Sequence, residues 1–533
     1  MLHFIPAWYQ GDSWSENEQK WYVRREHTEF DDTVKQMQLF HRNQVYPYQI
    51  MLLGFTPNFR HFLHRQSVYH APYWSCFDAI QEIRRKKAAI LSFHNLNWPE
   101  HVEFVYTPFV IMAMLSGKKY AKLEFGEDGN LIQIDMYQND IICRRNLYDD
   151  RGFVSSSIVY DEGKPIYQDY LMESGTIKMR VFVLDGHVEV NASCPQYLLQ
   201  FQNQCSSHNL LKLRYDSLQE VIHEVLEAYL KLTDQRDMFC VAMHHRHTQL
   251  LYKALADRKM ILSFFENRYD ITQYTEAVET IRRADYIIAD SGDSAEFIRE
   301  YTGILPNRIK DITPYDSRVD FGISQQLTVQ KILVPIDGME DCLFGEIIGY
   351  LVTYLIENNR AEIHLFTRQA AYDAEDRILE KTAEYLKMAG FEENWARVKN
   401  KGADRAENRI DQEQDGKPIR FCVDQCVDEL TVSKCMREQR LILDIRKVRD
   451  LYLRIAAISG GIPQIVHMES KYIEDGKNGI VLKDIVTIPQ ALAYYLDSLK
   501  NWNEAMIHAY ELGKNFTTEV LLNEWREVIE FIG

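Results

Sequence analysis

Short apolar runs followed by stretches of helical periodicity recur along this chain, and that alternation restricts most of its length to parallel βαβ units. In the first 115 residues the apolar runs are LHFIPAW and QIMLLGFTP, and the helical patterns are DDTVKQMQLFHRN and HFLHRQSVY. A helix, SLQEVIHEVLEAYLKL, later leads into MFCVAM, KMILSFF and DYIIAD, each ahead of a helical stretch. A second series opens at KILVPID and continues through AEIHLFT, RFCVD, RLILDI, PQIV and GIVL. The pattern predicts two doubly wound, Rossmann-like domains.

Between about Lys118 and His223 the texture changes, with turn pairs Asp128-Gly129, Arg151-Gly152, Glu162-Gly163, Ser174-Gly175 and Asp185-Gly186. The last four glycines stand 11 or 12 residues apart, and the strands between them are rich in β-branched and aromatic residues. That is the pattern of an antiparallel meander. The expected organisation is an N-terminal Rossmann-like domain over 1–117 and 224–327, an inserted extended β-sheet domain over 118–223, and a C-terminal Rossmann-like domain over 328–533. The last helix, roughly Leu521 to Ile532, is expected to cross back to the first domain. The polar stretch Lys399 to Pro418 reads as a loop or a helix end.

With 533 residues the chain can build several cores. Lys and Arg number 61 against 78 Asp and Glu, a net charge of −17, which disfavours nucleic acid as a partner. The nine cysteines are odd in number and scattered, as suits a reducing cytoplasm. The start, MLHFIPAWY, lacks the basic flank of an export signal, and no apolar run approaches the roughly 20 residues that span a bilayer. A cytoplasmic protein is expected, at most peripheral at the inner face of the cell membrane, where the basic cluster Arg84 to Lys87 is the one local attraction.

Doubly wound sheets bind ligands at the carboxyl ends of their strands. The stretch Arg454 to Asp484, RIAAISGGIPQIVHMESKYIEDGKNGIVLKD, resembles the closing half of the sugar-nucleotide domain of GT-B glycosyltransferases. Gly461 and Pro463 fit its helix-ending Gly-x-Pro, and Glu474, Asp475, Gly476, Asn478 and Gly479 fit the loop before its next strand. The resemblance implies two donor-holding glutamates eight residues apart, and they fall on Val448 and Ala456. An isopropyl and a methyl group accept no hydrogen bond from a sugar hydroxyl.

It also implies an Arg and a Lys for the diphosphate in the first βα unit, yet between Lys331 and Arg360 there is neither. That unit offers Asp337 and Asp341 at the turn instead, and acids repel a diphosphate. Cations from another element could still supply the charge. The reading is of a degenerate donor site, no catalytic residue and no cofactor.

Further candidate contacts are Trp8 and Tyr9 after the first strand, His244, His245 and His247 after MFCVAM, and Glu474. Together with Trp14, Trp21 and Tyr22, the first two form either a stacking surface or core. Adjacent histidines on a βα turn are poor geometry for one metal, and Cys422 and Cys426 lack both the spacing and the second pair of a zinc site. No metal is expected. Ser294 or Asp293 is expected to cap the helix after DYIIAD.

The blocks FIPAWY, WY at Trp21 to Tyr22, FDDTVKQMQLF, FLHRQ and YWSCFDAIQ, with FGEDGNL and YDDRGF, resemble the first accessory secretory proteins of the accessory Sec system of streptococci and related bacteria. The resemblance implies export rather than synthesis: a non-catalytic, chaperone-like component that binds serine-rich repeat glycoprotein adhesins for the accessory SecA/SecY translocase. Its implied partners are the second and third accessory secretory proteins, the accessory SecA motor and the adhesin precursor. The alternative is an active GT-B transferase on Ser/Thr-rich adhesin, with His244 or His245 as acid or base and Glu474 on the donor.

Overall fold

The computed structural model describes residues 1–15, 20, 22–23, 28–202, 204–274, 277–317, 322–391, 393–396, 419–447 and 450–533. The expected loop Lys399 to Pro418, the donor-site position Val448 and the aromatic Trp21 lie outside these described residues. The chain divides into two compact units, one of Met1–Val23, Asp31–Asp311 and Val528–Gly533, the other of Arg24–Phe30 and Ile312–Glu527.

The first unit is built on seven parallel strands, β1 (Leu2–Ile5), β2 (Tyr48–Leu52), β3 (Tyr73–Ser75), β4 (Met238–Ala242), β5 (Lys259–Phe264), β6 (Tyr286–Ala289) and β7 (Ile309–Asp311). Their order is β7-β6-β5-β4-β1-β2-β3. All five residues of β4 and all four of β1 and β6 are buried, as strands covered on both faces must be. The strand order reverses between β1 and β4, and this switch point is where a doubly wound sheet opens a crevice.

Between β3 and β4 the chain builds a ten-stranded antiparallel sheet and a separate two-stranded ladder of Gln196–Phe201 with Gln204–Asn209. The turn glycines Gly129, Gly152, Gly163, Gly175 and Gly186 all take positive φ, between 74° and 87°. The large sheet starts at Val102–Tyr106, ahead of the expected boundary at Lys118. An unbroken apolar run such as IMAML at Ile111–Leu115 reads equally as a buried parallel strand, so periodicity gives no warning. Its pairing is instead set by Ser116-Gly117, both at positive φ (51° and 74°), which close a two-residue hairpin onto Lys118–Phe125.

One hydrophobic cluster runs from the parallel sheet into the insert, joining Ile5, Phe239, Val241 and Leu262 to Tyr170, Met179, Val188 and Tyr215. The insert's later strands, from Tyr170 on, therefore share the core of the unit that carries it, while Ala113, Ala121, Leu123, Leu131, Ile134 and Tyr148 form a second cluster within the insert. The end of the last helix, Thr518–Ile532, packs on the same unit, with Phe531 edge-on to Tyr286 at 5.4 Å and Gly533 O accepting from Lys259 Nζ at 3.0 Å. Among the described residues no helix is long and apolar enough to cross a membrane.

The second unit has six parallel strands, β8 (Gln330–Pro335), β9 (Ala361–Thr367), β10 (Phe421–Gln425), β11 (Gln439–Asp444), β12 (Gln464–Val466) and β13 (Gly479–Val481). They are ordered β10-β9-β8-β11-β12-β13, so the switch point lies between β8 and β11. The helix Leu451–Gly460 is buried along nearly its whole length and ends where Gly461 turns left-handed at φ 66°. Gly479 is required by close approach, because a Cβ there would strike Gln464 O on the neighbouring strand.

Candidate functional site

Each unit has its own switch point, and the expected site residues collect at both. In the first unit β1 runs into Trp8 and Tyr9, and β4 runs into His244, His245 and His247. His247 is fully buried, and its Nε2 donates to Ala242 O at 2.7 Å, since a carbonyl can only accept. Its Nδ1 then accepts from Tyr9 Oη at 2.8 Å. Burial pushes the His247 pKa down to about 3, so the ring is neutral. The His244 ring caps the helix His245–Ala254 by accepting from Arg246 N at 3.1 Å. Burial, and next the neighbouring His245, bring its pKa to about 4.

His244 and His245 are both half-buried, and His245 has Nε2 2.8 Å from Asp12 Oδ1 and its ring stacked on Tyr274 at 5.7 Å. The three rings thus point to three different partners, and the turn is a hydrogen-bonded one.

The aromatic start belongs largely to the interior. Trp8 and Trp14 are both buried, which removes them from any stacking surface. Trp8 packs on Phe62 at 4.8 Å and donates from Nε1 to Asp31 Oδ1 at 2.9 Å. Tyr22 donates to the buried Glu124 at 2.7 Å. Beneath this face lies a charge network that no local motif announces. Arg268 donates to Asp31 at 2.8 Å and to Asp32 at 2.5 Å, and Ser263 Oγ also donates to Asp32 at 2.5 Å. Burial and then the adjacent Asp32 push the Asp31 pKa up to about 6. One correction concerns the next helix, Gly292–Thr302: its cap is Ser291, not Ser294 or Asp293. Ser291 is the last extended residue, at φ −146°, and its side chain accepts from Ser294 N, which already lies in the first turn.

In the second unit the expected acids do gather after β8, but as braces. Asp337 accepts from Thr367 Oγ1 and from Arg368 N, both at 2.6 Å, and so ties the end of β8 to the end of β9. Asp341 opens the helix Asp341–Glu357 and accepts from Lys381 Nζ at 2.5 Å. Cations missing from the first βα unit arrive from other elements. Arg368 follows β9, and Arg446 and Lys447 follow β11.

Each of these cations is answered by an acid. Arg368 grips Asp450 through Nε at 3.0 Å and Nη2 at 3.2 Å and lies over the Phe30 ring at 4.0 Å. Arg446 grips Asp444 through Nε at 2.9 Å and Nη2 at 3.1 Å, while Arg454 donates to the same Asp444 at 3.1 Å. Lys447 meets Glu340 at 3.2 Å. Asp444 is only 2% exposed, and although burial opposes its charge, Arg454 and Arg446 hold its pKa below the usual carboxylate range.

Ala456 is buried in the helix Leu451–Gly460, a methyl among apolar neighbours. Glu474 is exposed, with its carboxylate on Lys477 Nζ at 2.8 Å, while its backbone N–H is held by Asn478 Oδ1 at 2.7 Å. Sequence reasoning missed Arg368, Arg446 and Asp444. The Asp-Ile-Arg at the end of RLILDI was the available signal for the last two. It also missed a group of three metal-ligand types, Glu362, His364 and Cys422, on adjacent strands β9 and β10.

A family model for accessory Sec system protein 1, the first accessory secretory protein, matches residues 1–531. The accessory Sec system protein 1 of Streptococcus gordonii is 31% identical over 99% of this chain and 98% of its own length. In the crystal structure of accessory secretory protein 1, 2 and 3 of Streptococcus pneumoniae, the matching chain is 28% identical, with a TM-score of 0.80 over 100% of this chain and 99% of that one. The pneumococcal O-GlcNAc transferase GtfA, solved with UDP and GlcNAc, shares the fold at 11% identity, with a TM-score of 0.68 over 100% of this chain and 98% of its own. The GT-B-like architecture expected from the loop around Glu474 is thus the architecture found. On the extent of the family match, this chain belongs to the family of accessory Sec system protein 1.

Proposed function

We propose that the chain is a non-catalytic component of accessory Sec export that holds or escorts serine-rich repeat glycoprotein adhesin precursors to the accessory SecA motor and SecY channel. The observation that carries this reading is the charge compensation at the switch point of the second unit. A diphosphate site needs cations whose charge is unanswered, and here Arg368, Arg446 and Lys447 are engaged by Asp450, Asp444 and Glu340. Binding a nucleotide diphosphate would require breaking pairs of which one, Arg446 with Asp444, is buried. Ala456 supports the same reading, since nothing at that position can hold a hydroxyl. The degenerate donor positions are therefore Ala456, Asp337 and Asp341, with Val448 added from the sequence alone.

The second and third accessory secretory proteins are proposed as partners, because the pneumococcal relative was solved together with proteins 2 and 3. The site of action is the cytoplasm, with peripheral contact at the membrane through the exposed Arg84 to Lys87 cluster. Calorimetric titration of the purified chain with uridine-diphosphate sugars, with and without a divalent metal, tests the central point. No heat and no thermal shift at millimolar sugar nucleotide is the expected result. Micromolar binding would make the transferase reading the leading one.

One observation favours that second reading. His245 is partly open and paired with Asp12, as a general base would be. Sugar transfer to a Ser/Thr-rich acceptor, lost in His245→Ala, is the result that would establish it. Flotation with anionic liposomes at low salt tests the membrane contact, and failure to float removes it.

A further inference from the structure

The outermost strand of the second sheet, β10, pairs with β9 so that Cys422 stands opposite His364. Residues two apart on a strand share a face, and directly opposed residues of neighbouring parallel strands share it too. Glu362, His364 and Cys422 therefore project from one side, each with a ligand atom within 4.8 Å of the others. His364 is buried, and its Nδ1 lies 2.8 Å from Asp424 Oδ2. Asp424 is itself fixed by Cys435, whose Sγ donates to Oδ2 at 3.1 Å.

With Nδ1 committed to a carboxylate, the other ring nitrogen, Nε2, is buried without a hydrogen-bond partner, 3.6 Å from Glu362 Oε2. A buried polar atom left so is unfavourable and calls for an explanation. Imidazole oriented by a carboxylate through one nitrogen and turned toward a second carboxylate with the other, with a thiol in the same group, is the arrangement of a metal-bound histidine.

We propose that Glu362, His364 and Cys422 bind one Zn(II) ion that ties β10 to β9, with Asp424 fixing the tautomer of His364. Nitrogen, thiolate and carboxylate ligands together match Zn(II), while Mg(II) and Ca(II) take oxygen ligands. Three protein ligands leave the ion one position for water. Binding displaces to solvent the Cys422 thiol proton and the second ring proton that Asp424 and Glu362 favour on His364, and the Zn–S bond forms without change of oxidation state. Lys331, opposite Glu362 in the ladder, has its charge met by Glu438 at 2.5 Å. The pattern was invisible to a search for CxxC spacing because the ligands converge across two strands.

The test is titration of the full, chelator-treated chain with Zn(II), read by bound-metal stoichiometry and by thermal shift, with Co(II) substitution as the spectroscopic readout. Expected are one equivalent of metal, a rise in Tm, and a Co(II) spectrum with a thiolate charge-transfer band. Cys422→Ser and His364→Gln should each weaken binding at least about ten-fold, and Asp424→Asn should weaken it by about ten-fold. A Cys205→Ser/Cys342→Ser variant, lacking two exposed thiols, should keep the full equivalent. Equal binding by wild type and Cys422→Ser overturns the proposal, as does a Co(II) spectrum without the thiolate band. Should Cys422→Ser not fold, Glu362→Gln decides, because that side chain is 20% exposed and tolerates the change. Undiminished affinity there overturns the ligand set.

Discussion

The two switch points occupy equivalent places in two doubly wound sheets, yet they are closed by different physics. In the first unit the buried ring at the crevice is neutral, His247 spending one nitrogen on Ala242 O and the other on Tyr9, above the Arg268 pairs with Asp31 and Asp32. In the second it holds full charges that cancel, with Asp444 between Arg446 and Arg454 and Asp450 against Arg368. A neutral closure is sensitive to protonation. A compensated one is sensitive to removal of any single partner, because the remaining charges stay buried.

That difference can be broken at its strongest point first. Asp444→Ala leaves Arg446 and Arg454 buried without their carboxylate and should cost about 3–5 kcal/mol in urea unfolding. His247→Leu removes the ring's hydrogen bonds to both Ala242 O and Tyr9 Oη and should cost about 1–3 kcal/mol by the same measurement. Tyr9→Phe removes one hydrogen bond from the same ring and should cost about 1 kcal/mol. Lys381→Ala, at an exposed pair with Asp341, should change stability by less than about 0.5 kcal/mol.

Proton dependence sharpens the contrast. His244 and His247 titrate near 6.5 in the unfolded chain but only near 4 and 3 in the fold. Below pH 6.5 the unfolded chain therefore binds more protons, and stability should fall as pH drops from 7 to 5. His247→Leu should flatten that slope, while Asp444→Ala should keep it, since the depressed pKa of Asp444 places its own loss at lower pH. Urea midpoints at pH 7 and pH 5 for the three proteins check this.

The layering was legible because buried parallel strands are written as apolar runs: of the eight strands from MFCVAM to RLILDI, seven stand on such runs, and the short half-buried edge strand Ile309–Asp311 does not. The start of the insert was not, since IMAML carries no sign of which neighbour it will pair with. At the second switch point the acids Asp337 and Asp341 are visible in the sequence, but the groups that answer them are not. Their partners Arg368 and Lys381 lie on a later βα unit, and sequence distance hides such pairs. His364 and Cys422 were missed for the same reason, being neighbours only through strand register.

The single cluster that joins the parallel sheet of the first unit to its antiparallel insert has a consequence for how that unit comes apart. Residues such as Tyr170 and Val188 are packed with Phe239 and Val241, so excising the insert would bare the sheet's own interior. The parallel sheet and the insert's later strands should lose hydrogen-exchange protection together as one cooperative block, apart from the early strands, whose Ala121 and Ile134 belong to the insert's own cluster. A protease should accordingly find no folded fragment to release at their junction, and a surface that those later strands offer to another protein is held as rigidly as the sheet beneath it.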